Sequence, residues 1–119
     1  METSSLGLVE LSSIASGMLA TDIMLKTSQV ELVLSRTICS GKYISLIKGD
    51  VAEVQTAIDA VVKDLDYSII DKFVIPNVAE DIFPALAGQS KIEKLEALGI
   101  IESFSVASLI EGADAAVKS

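Results

Sequence analysis

The sequence predicts an α+β domain in which two helices cover one face of a single β-sheet. Half of the 119 residues are hydrophobic and only 4% are aromatic, so the core would consist mainly of aliphatic side chains. Four short segments are rich in β-branched and aliphatic residues, which favours strands, and two longer segments repeat apolar residues at helical spacing. A chain of this length has room for one compact domain and little more.

The first third of the chain predicts a strand, a helix and a second strand. Residues Leu6–Leu11 (LGLVEL) are mostly apolar, and Ser12-Ser13 then offers a side-chain oxygen that can cap a helix. Apolar residues recur at near-helical spacing within Ile14–Lys26, which predicts the first helix. Val30–Ile38 (VELVLSRTI) is aliphatic and β-branched apart from two charges, and it predicts the second strand.

A hairpin and the most periodic helix of the chain follow. Cys39–Lys42 contain serine and glycine, which tolerate the dihedral angles of a tight turn, and Tyr43–Lys48 predicts a third strand. Asp50 and Glu53 have the spacing of a helix-capping pair. Apolar residues within Val51–Leu65 step by three and four, which predicts the second helix.

A fourth strand completes the predicted sheet. Ser68–Ile75 (SIIDKFVI) is closed by Pro76, and residues 78–87 predict a short helix whose length Pro84 limits. The order β-α-β-β-α-β is the split pattern of ferredoxin-like α+β domains.

The last part of the chain repeats the first. Leu6–Thr27 aligns with Leu98–Ser119 at a constant offset of 92 residues, over 22 positions without a gap. We therefore predict a first domain over residues 1–87, a polar linker over residues 88–97, and the first strand and helix of a truncated second copy over residues 98–119. Such a piece cannot close a sheet alone, so we expect the chain to be part of a longer tandem protein. Eight aligned pairs are identical: Leu6/Leu98, Gly7/Gly99, Glu10/Glu102, Ser13/Ser105, Ala15/Ala107, Ser16/Ser108, Asp22/Asp114 and Lys26/Lys118.

The composition argues against several functions. Asp and Glu number 17 against 9 Lys and Arg, and the net charge of −8 disfavours a nucleic-acid partner. Without histidine, no Ser-His-Asp or Cys-His pair and no His-liganded zinc site can form. Glu10 and Glu102 stand alone within apolar strands, which favours a subunit-interface or edge position over catalysis. We predict no catalytic residues and no enzyme activity.

The sequence also predicts a location. The N-terminus has no basic stretch followed by an apolar run, and no uncharged apolar run reaches the roughly 18 residues that a membrane span needs. We expect a cytoplasmic protein without a membrane partner.

Five segments of the chain together resemble one known family. They are LGLVEL, Asp22–Lys26, Ile38–Gly41, Lys48–Asp50 and Val74–Pro76. In these segments the chain resembles the BMC-domain family, the shell proteins of bacterial microcompartments. The repeat makes it similar to tandem-domain members, in which three chains of two domains each build a pseudohexameric tile. Thr37–Lys42 looks most like the iron–sulfur-bearing members from propanediol- and ethanol-utilisation compartments. Asn77 departs from the family, which commonly has a basic residue there.

The resemblance implies a pore. In the family the turn after the second strand faces the centre of the tile, which would make Cys39, Ser40, Gly41 and Lys42 pore-lining. Three Cys39 thiolates from symmetry-related chains could then hold three irons of a [4Fe–4S] cluster, which leaves the fourth iron to water or another ligand. The residues alone leave other interpretations open. Cys39 could be a partly buried small side chain, Ser40 and Gly41 an ordinary turn, and Lys42 a solvated charge.

The resemblance also implies lateral contacts. Lys26 and its repeat mate Lys118 would lie at tile edges and donate to a neighbouring tile, although a lysine that ends a helix is also favoured by the helix dipole. The partners implied are further copies of the chain (a trimer of tandem domains or a hexamer), other shell proteins and encapsulated enzymes.

Two other functions share parts of this pattern. A small redox carrier would use the cluster at Cys39 for its own sake. A ligand-sensing regulator can have the same β-α-β-β-α-β order.

Overall fold

The predicted order β-α-β-β-α-β of the first domain is confirmed in a computed structural model, which describes residues 4–119. The element ends lie within a few residues of the predicted ones, and a short 3-10 turn, Asp66–Ser68, precedes the fourth strand. The elements are β1 (Ser5–Leu11), α1 (Ile14–Thr27), β2 (Glu31–Ile38), β3 (Lys42–Gly49), α2 (Val51–Leu65), β4 (Ile69–Ile75), α3 (Ile82–Leu86) and α4 (Val106–Lys118).

The four strands form one antiparallel sheet in the order β2-β3-β1-β4. β1 therefore pairs along both of its edges, and all seven of its residues are buried. A strand buried on both faces needs a nearly continuous apolar sequence, which is the character of LGLVEL. The α+β, ferredoxin-like class is thus confirmed for the first part of the chain.

α1 and α2 pack on the same face of the sheet, as predicted. The side chains of β1 alternate, so Val9 and Leu11 face the helices while Leu8 and Glu10 point to the other face and are also buried. The helix-facing core contains Val9, Leu11, Ala20, Met24, Tyr43, Ile47, Val54, Ala57, Ile58, Val61 and Leu65.

A close approach fixes α1 against the hairpin. A Cβ placed on Gly17 would lie 2.3 Å from atoms of the Tyr43 ring, so α1 can reach β3 only because this position has no side chain. Beside it, Thr21 Oγ1 lies 2.8 Å from Ser45 Oγ and 3.2 Å from Ser35 Oγ. The hydroxyl group of Ser35 is in turn hydrogen-bonded to Tyr43 Oη. Glycine and hydroxyl contacts together set the position of the helix on both strands of the hairpin.

The chain forms two compact units, one ending at Asn77 and the other spanning residues 78–119. Within the second unit α3 contacts α4. α4 begins with the same N-terminal cap as α1. Ser16 N–H donates to Ser13 Oγ in α1, and Ser108 N–H donates to Ser105 Oγ in α4. The predicted helix of the second copy is therefore present, with the cap that the repeat predicts.

The prediction that the second copy begins with a strand is wrong. Residues 98–103 form no strand, although they repeat the sequence of β1. A strand exists only when a neighbour supplies its hydrogen-bond partners, and the described strands β1–β4 pair among themselves. Several apolar side chains are exposed instead: Ile92, Leu95, Leu98, Ile100, Ile101 and Phe104. No helix among residues 4–119 is both long and apolar enough to cross a membrane.

Replacing Gly17 by alanine tests the close approach of α1. We expect Gly17→Ala to lower the free energy of unfolding by about 3 kcal/mol, because the new methyl group overlaps the Tyr43 ring. Denaturant unfolding measures the change. Gly112→Ala is the matched control, since beyond its chain neighbours and the backbone of its own helix no described atom lies within 4 Å of the added Cβ. Alanine in a helix interior should stabilise by about 0.5–1 kcal/mol. Equal effects of the two substitutions would contradict this packing.

Candidate functional site

The predicted pore residues lie at the tip of the hairpin. The register pairs Ile38 with Lys42 and leaves a turn of three residues. Two of them, Ser40 and Gly41, have positive φ angles, 67° and 73°. Gly41 adopts this conformation without the steric cost that a side chain brings. Lys42, assigned to the turn from the sequence, is already the first residue of β3.

Cys39 is exposed, so the interpretation as a partly buried side chain is wrong. Within residues 4–119, no three His, Cys, Asp or Glu side chains are close enough together to hold a metal ion. A single chain thus offers one accessible thiol. Thiolate is the ligand that iron–sulfur clusters take, so the donor chemistry fits a cluster, provided that other chains supply further ligands.

Beneath the turn, Lys42 is paired with a buried carboxylate. Its Nζ lies 3.1 Å from Oε2 of Glu10, whose side chain is fully buried, while the Lys42 side chain is 26% exposed. Glu10 lies opposite Ile44 in the register of β1 and β3, which makes Lys42 its diagonal neighbour on the same face. Lys42 is therefore not a freely solvated charge. Glu10 lies in an inner strand, so of the two positions expected for it the sheet edge is wrong, and the subunit interface stays a prediction.

The two predicted edge lysines end their helices. Lys26 Nζ lies 2.9 Å from Asp22 Oδ2 at the end of α1, and both side chains are exposed. Lys118 Nζ lies 2.7 Å from Asp114 Oδ2 at the end of α4. Both pairs have the i,i+4 spacing that stabilises helices.

Asp114 makes a further contact that the sequence analysis missed. Its Oδ1 accepts a hydrogen bond of 2.8 Å from the Ala79 N–H. Burial raises the pKa of the Asp114 carboxyl, but this bond and Lys118 together hold the pKa below its ordinary value. The repeat offered no signal for the contact, because the equivalent Asp22 is exposed.

The Glu10–Lys42 pair was also missed, although the sequence carried a partial signal. A carboxylate within a continuous apolar strand needs a counter-charge nearby. The hairpin offers Arg36, Lys42 and Lys48, and only the register selects Lys42.

Comparison with known families identifies the domain that carries this turn. The BMC domain matches residues 5–78, which span β1 to the end of β4 and make up more than half of the chain. The chain belongs to the BMC-domain family.

Relatives of this BMC-domain chain are longer. It is 43% identical over 114 residues to the bacterial microcompartment shell protein PduT of Citrobacter freundii, covering 96% of this chain and 62% of that protein. It is 30% identical to the carboxysome assembly protein CcmO of Synechocystis sp., and this match covers 98% of this chain and 44% of that protein. A solved microcompartment protein from Desulfitobacterium hafniense superposes with a TM-score of 0.87 at 46% identity, over 98% of this chain and 65% of that one. The chain thus spans less than two thirds of the length of each.

Replacing Lys42 tests the buried pair of this BMC domain. We expect Lys42→Met to lower the free energy of unfolding by about 3 kcal/mol, since it leaves the buried Glu10 carboxylate without this counter-charge. The double variant Glu10→Gln with Lys42→Met should lose clearly less than the sum of the two single variants. Denaturant unfolding of all three variants measures the coupling.

Lys48→Met is the matched control on the same strand. Its ion pair with Glu31 is long, 3.5 Å, and solvent-exposed, so a change of at most about 0.5 kcal/mol is expected. Additive effects of Glu10→Gln and Lys42→Met would show that the two side chains do not stabilise each other.

Proposed function

We propose that the chain is a structural shell protein of a bacterial microcompartment, located in the shell of that compartment in the cytoplasm. Its membership of the BMC-domain family supports a structural role and not an enzymatic one. Its similarity to a protein named as a microcompartment shell protein supports the same role. The observation that carries the proposal is the exposed hairpin turn with small side chains at Cys39–Gly41, held by a domain of this family.

Uncovered apolar surface on the first unit supports assembly with further copies. Ile14, Met18 and Leu25 lie on one side of α1 at helical spacing and are exposed. Leu32 is exposed on β2, which is an edge strand of the sheet, and edge strands offer unpaired hydrogen-bonding groups. A cyclic arrangement, either a hexamer or a pseudohexameric trimer of tandem domains, would cover such a surface repeatedly.

A ring of copies would gather the hairpin tips around a central pore. Cys39, Ser40, Gly41 and Lys42 would then line a passage for metabolites or electrons. Thiolates of Cys39 from three chains would hold a [4Fe–4S] cluster, which supplies one-electron transfer when bound. The exposure of Cys39 supports this role, because a thiol that is shared between chains must be accessible from outside its own chain.

Lateral contacts would extend the tile into a shell. Lys26 and Lys118 lie in the last turns of their helices with exposed side chains, and in this proposal they donate to neighbouring tiles. Other shell proteins and encapsulated enzymes would be the remaining partners. The repetition of residues 6–27 in residues 98–119 supports a tandem organisation with two BMC domains.

Assembly of the purified chain tests the shell function. We expect sedimentation at micromolar concentration to show cyclic oligomers, and electron microscopy to show rings or flat sheets, because the exposed apolar side chains of α1 are covered only between copies. Met18→Lys should weaken these assemblies while leaving thermal unfolding nearly unchanged, since Met18 is outside the core. Glu111→Lys on α4, also an exposed position, is the control for a changed surface charge. A monomer without rings or sheets would contradict the proposal.

Anaerobic purification tests the cluster. We expect iron and sulfide in a ratio of about one cluster to three chains, and Cys39→Ser should remove all of the iron while oligomers still form, since an exposed cysteine contributes little to folding. Iron and sulfide assays, together with sedimentation, measure both effects. Ser40→Ala is the matched control, which should keep the iron. Iron bound to a chain that never assembles would favour the redox carrier instead.

A further inference from the structure

The chain contains two versions of one strand-and-helix segment, and the described sheet has one place for it. Residues 6–27, the first segment, occupy this place: β1 pairs with β3 and β4, and α1 contacts α2 and β3. Residues 98–119, the repeat segment, follow the same pattern without a gap. The chain between β4 and residue 98 is long enough to reach along the whole sheet. The two segments therefore compete for one place unless a contact excludes one of them.

The strand half of the repeat segment keeps what this place requires. A Cβ on Gly7 would lie 2.6 Å from the side chain of Val54, so α2 demands a glycine at this point, and Gly99 supplies it. Glu102 repeats Glu10, whose carboxylate forms the buried ion pair of the site. Only the last residue of the strand departs, since a serine replaces a buried leucine there. The strand half alone thus distinguishes the segments weakly.

The helix half of the repeat segment does not fit this place. Leu109 stands where α1 has Gly17. A Cβ at Gly17 would already lie 2.3 Å from the Tyr43 ring, and a leucine carries further carbon atoms beyond its Cβ. Because protein interiors are close-packed, they absorb such an overlap only by displacing the helix or the ring. Leu109 is therefore sterically incompatible with the hairpin beneath α1.

Two polar contacts of the first segment are also missing from the repeat segment. Thr21 Oγ1 lies 2.8 Å from Ser45 Oγ, whereas Ala113 at the equivalent position has no hydroxyl group. Ser12 Oγ lies 3.3 Å from a hydroxyl group of the 3-10 turn before β4, and its equivalent is Phe104. The repeat segment would leave these hydroxyl groups of the scaffold without their partners.

α4 is buried through a different face from α1. The residues that α4 buries are Ala107, Ile110 and Asp114. Their equivalents in α1 are all exposed: Ala15, Met18 and Asp22. Conversely, the residues that α1 buries are Gly17, Ala20 and Met24, and none of their equivalents is buried: Leu109, Gly112 and Ala116. The structure thus shows α4 packed without the face that would have to meet the hairpin.

We propose that Leu109 excludes the repeat segment from the sheet of the first domain, which accepts the first segment through Gly17. The exclusion acts within one chain and between chains, so one chain does not exchange its repeat segment for the first segment of another, as domain-swapped proteins do. By the same geometry, a scaffold that accepts residues 98–119 has a small side chain at the position of Tyr43. This last point rests on the proposed tandem organisation, whereas the exclusion itself does not.

Amide hydrogen exchange of the full chain, measured by peptide mass spectrometry, tests the exclusion. In the wild type we expect slow exchange in residues 6–11 and rapid exchange in residues 98–103, because β1 is paired along both edges and residues 98–103 form no strand. In a test variant that reverses the differences, exchange in residues 98–103 should slow at least about tenfold while residues 6–11 lose protection. This variant carries Gly17→Leu, Ser103→Leu, Phe104→Ser, Leu109→Gly and Ala113→Thr.

The matched control is the same variant without Leu109→Gly. Both segments should then exchange rapidly, because neither helix fits beside Tyr43. Slow exchange of residues 98–103 in this control, or rapid exchange there in the test variant, would overturn the exclusion. The measurement is made at a concentration too low for assembly. A chain that forms no rings or sheets would therefore contradict the shell function and leave the exclusion intact.

A second set of variants tests the requirement for a small side chain opposite Leu109. Gly17→Leu should lower the midpoint of thermal unfolding by about 10 °C. Adding Tyr43→Ala should recover most of this loss, since the leucine then occupies the space of the ring. Tyr43→Ala alone is the control and should also lower the midpoint, because it leaves a cavity. A double variant less stable than Gly17→Leu would show that the side chain at this position does not select the helix.

Discussion

A carboxylate without access to water is the constraint on which the candidate site depends. Glu10 lies in β1, an inner strand of the sheet in which every residue is buried, and an unpaired charge in such a place is strongly unfavourable. Lys42 supplies the counter-charge at 3.1 Å. Because Lys42 is the first residue of β3, the pair ties the base of the turn to the middle of the sheet. The turn residues 39–41 directly precede this pair in the chain.

The rest of the hairpin is held in a similar way from the other face. α1 approaches Tyr43 through Gly17, and the hydroxyl groups of Thr21 and Ser45 join the helix to β3. Contacts on both faces of the sheet thus lie next to the turn. In the proposed cluster, each copy of the chain would have to place the Cys39 sulfur in the same position.

The repeat shows how equal sequences acquire unequal roles. The capping serines Ser13 and Ser105 make the same hydrogen bond, because a cap depends only on residues three positions away. The aspartates at the other ends of these helices differ, since their burial depends on what packs around them. The local hydrogen bond of the helix cap is therefore the same in both copies, whereas the tertiary contacts of the two aspartates differ.

Periodicity and capping in the sequence alone determined the strands, the two long helices and the hairpin, because the spacing of apolar residues and the turn-forming Ser40-Gly41 act over a few neighbours. The family resemblance, carried by short segments such as LGLVEL, was likewise determined at this level and is confirmed. Only the tertiary structure decided that Glu10 pairs with Lys42, that Asp114 binds Ala79, and that residues 98–103 remain without strand pairing. Each of these outcomes depends on groups far apart in the chain, which pairing register and burial bring together and which no local pattern specifies.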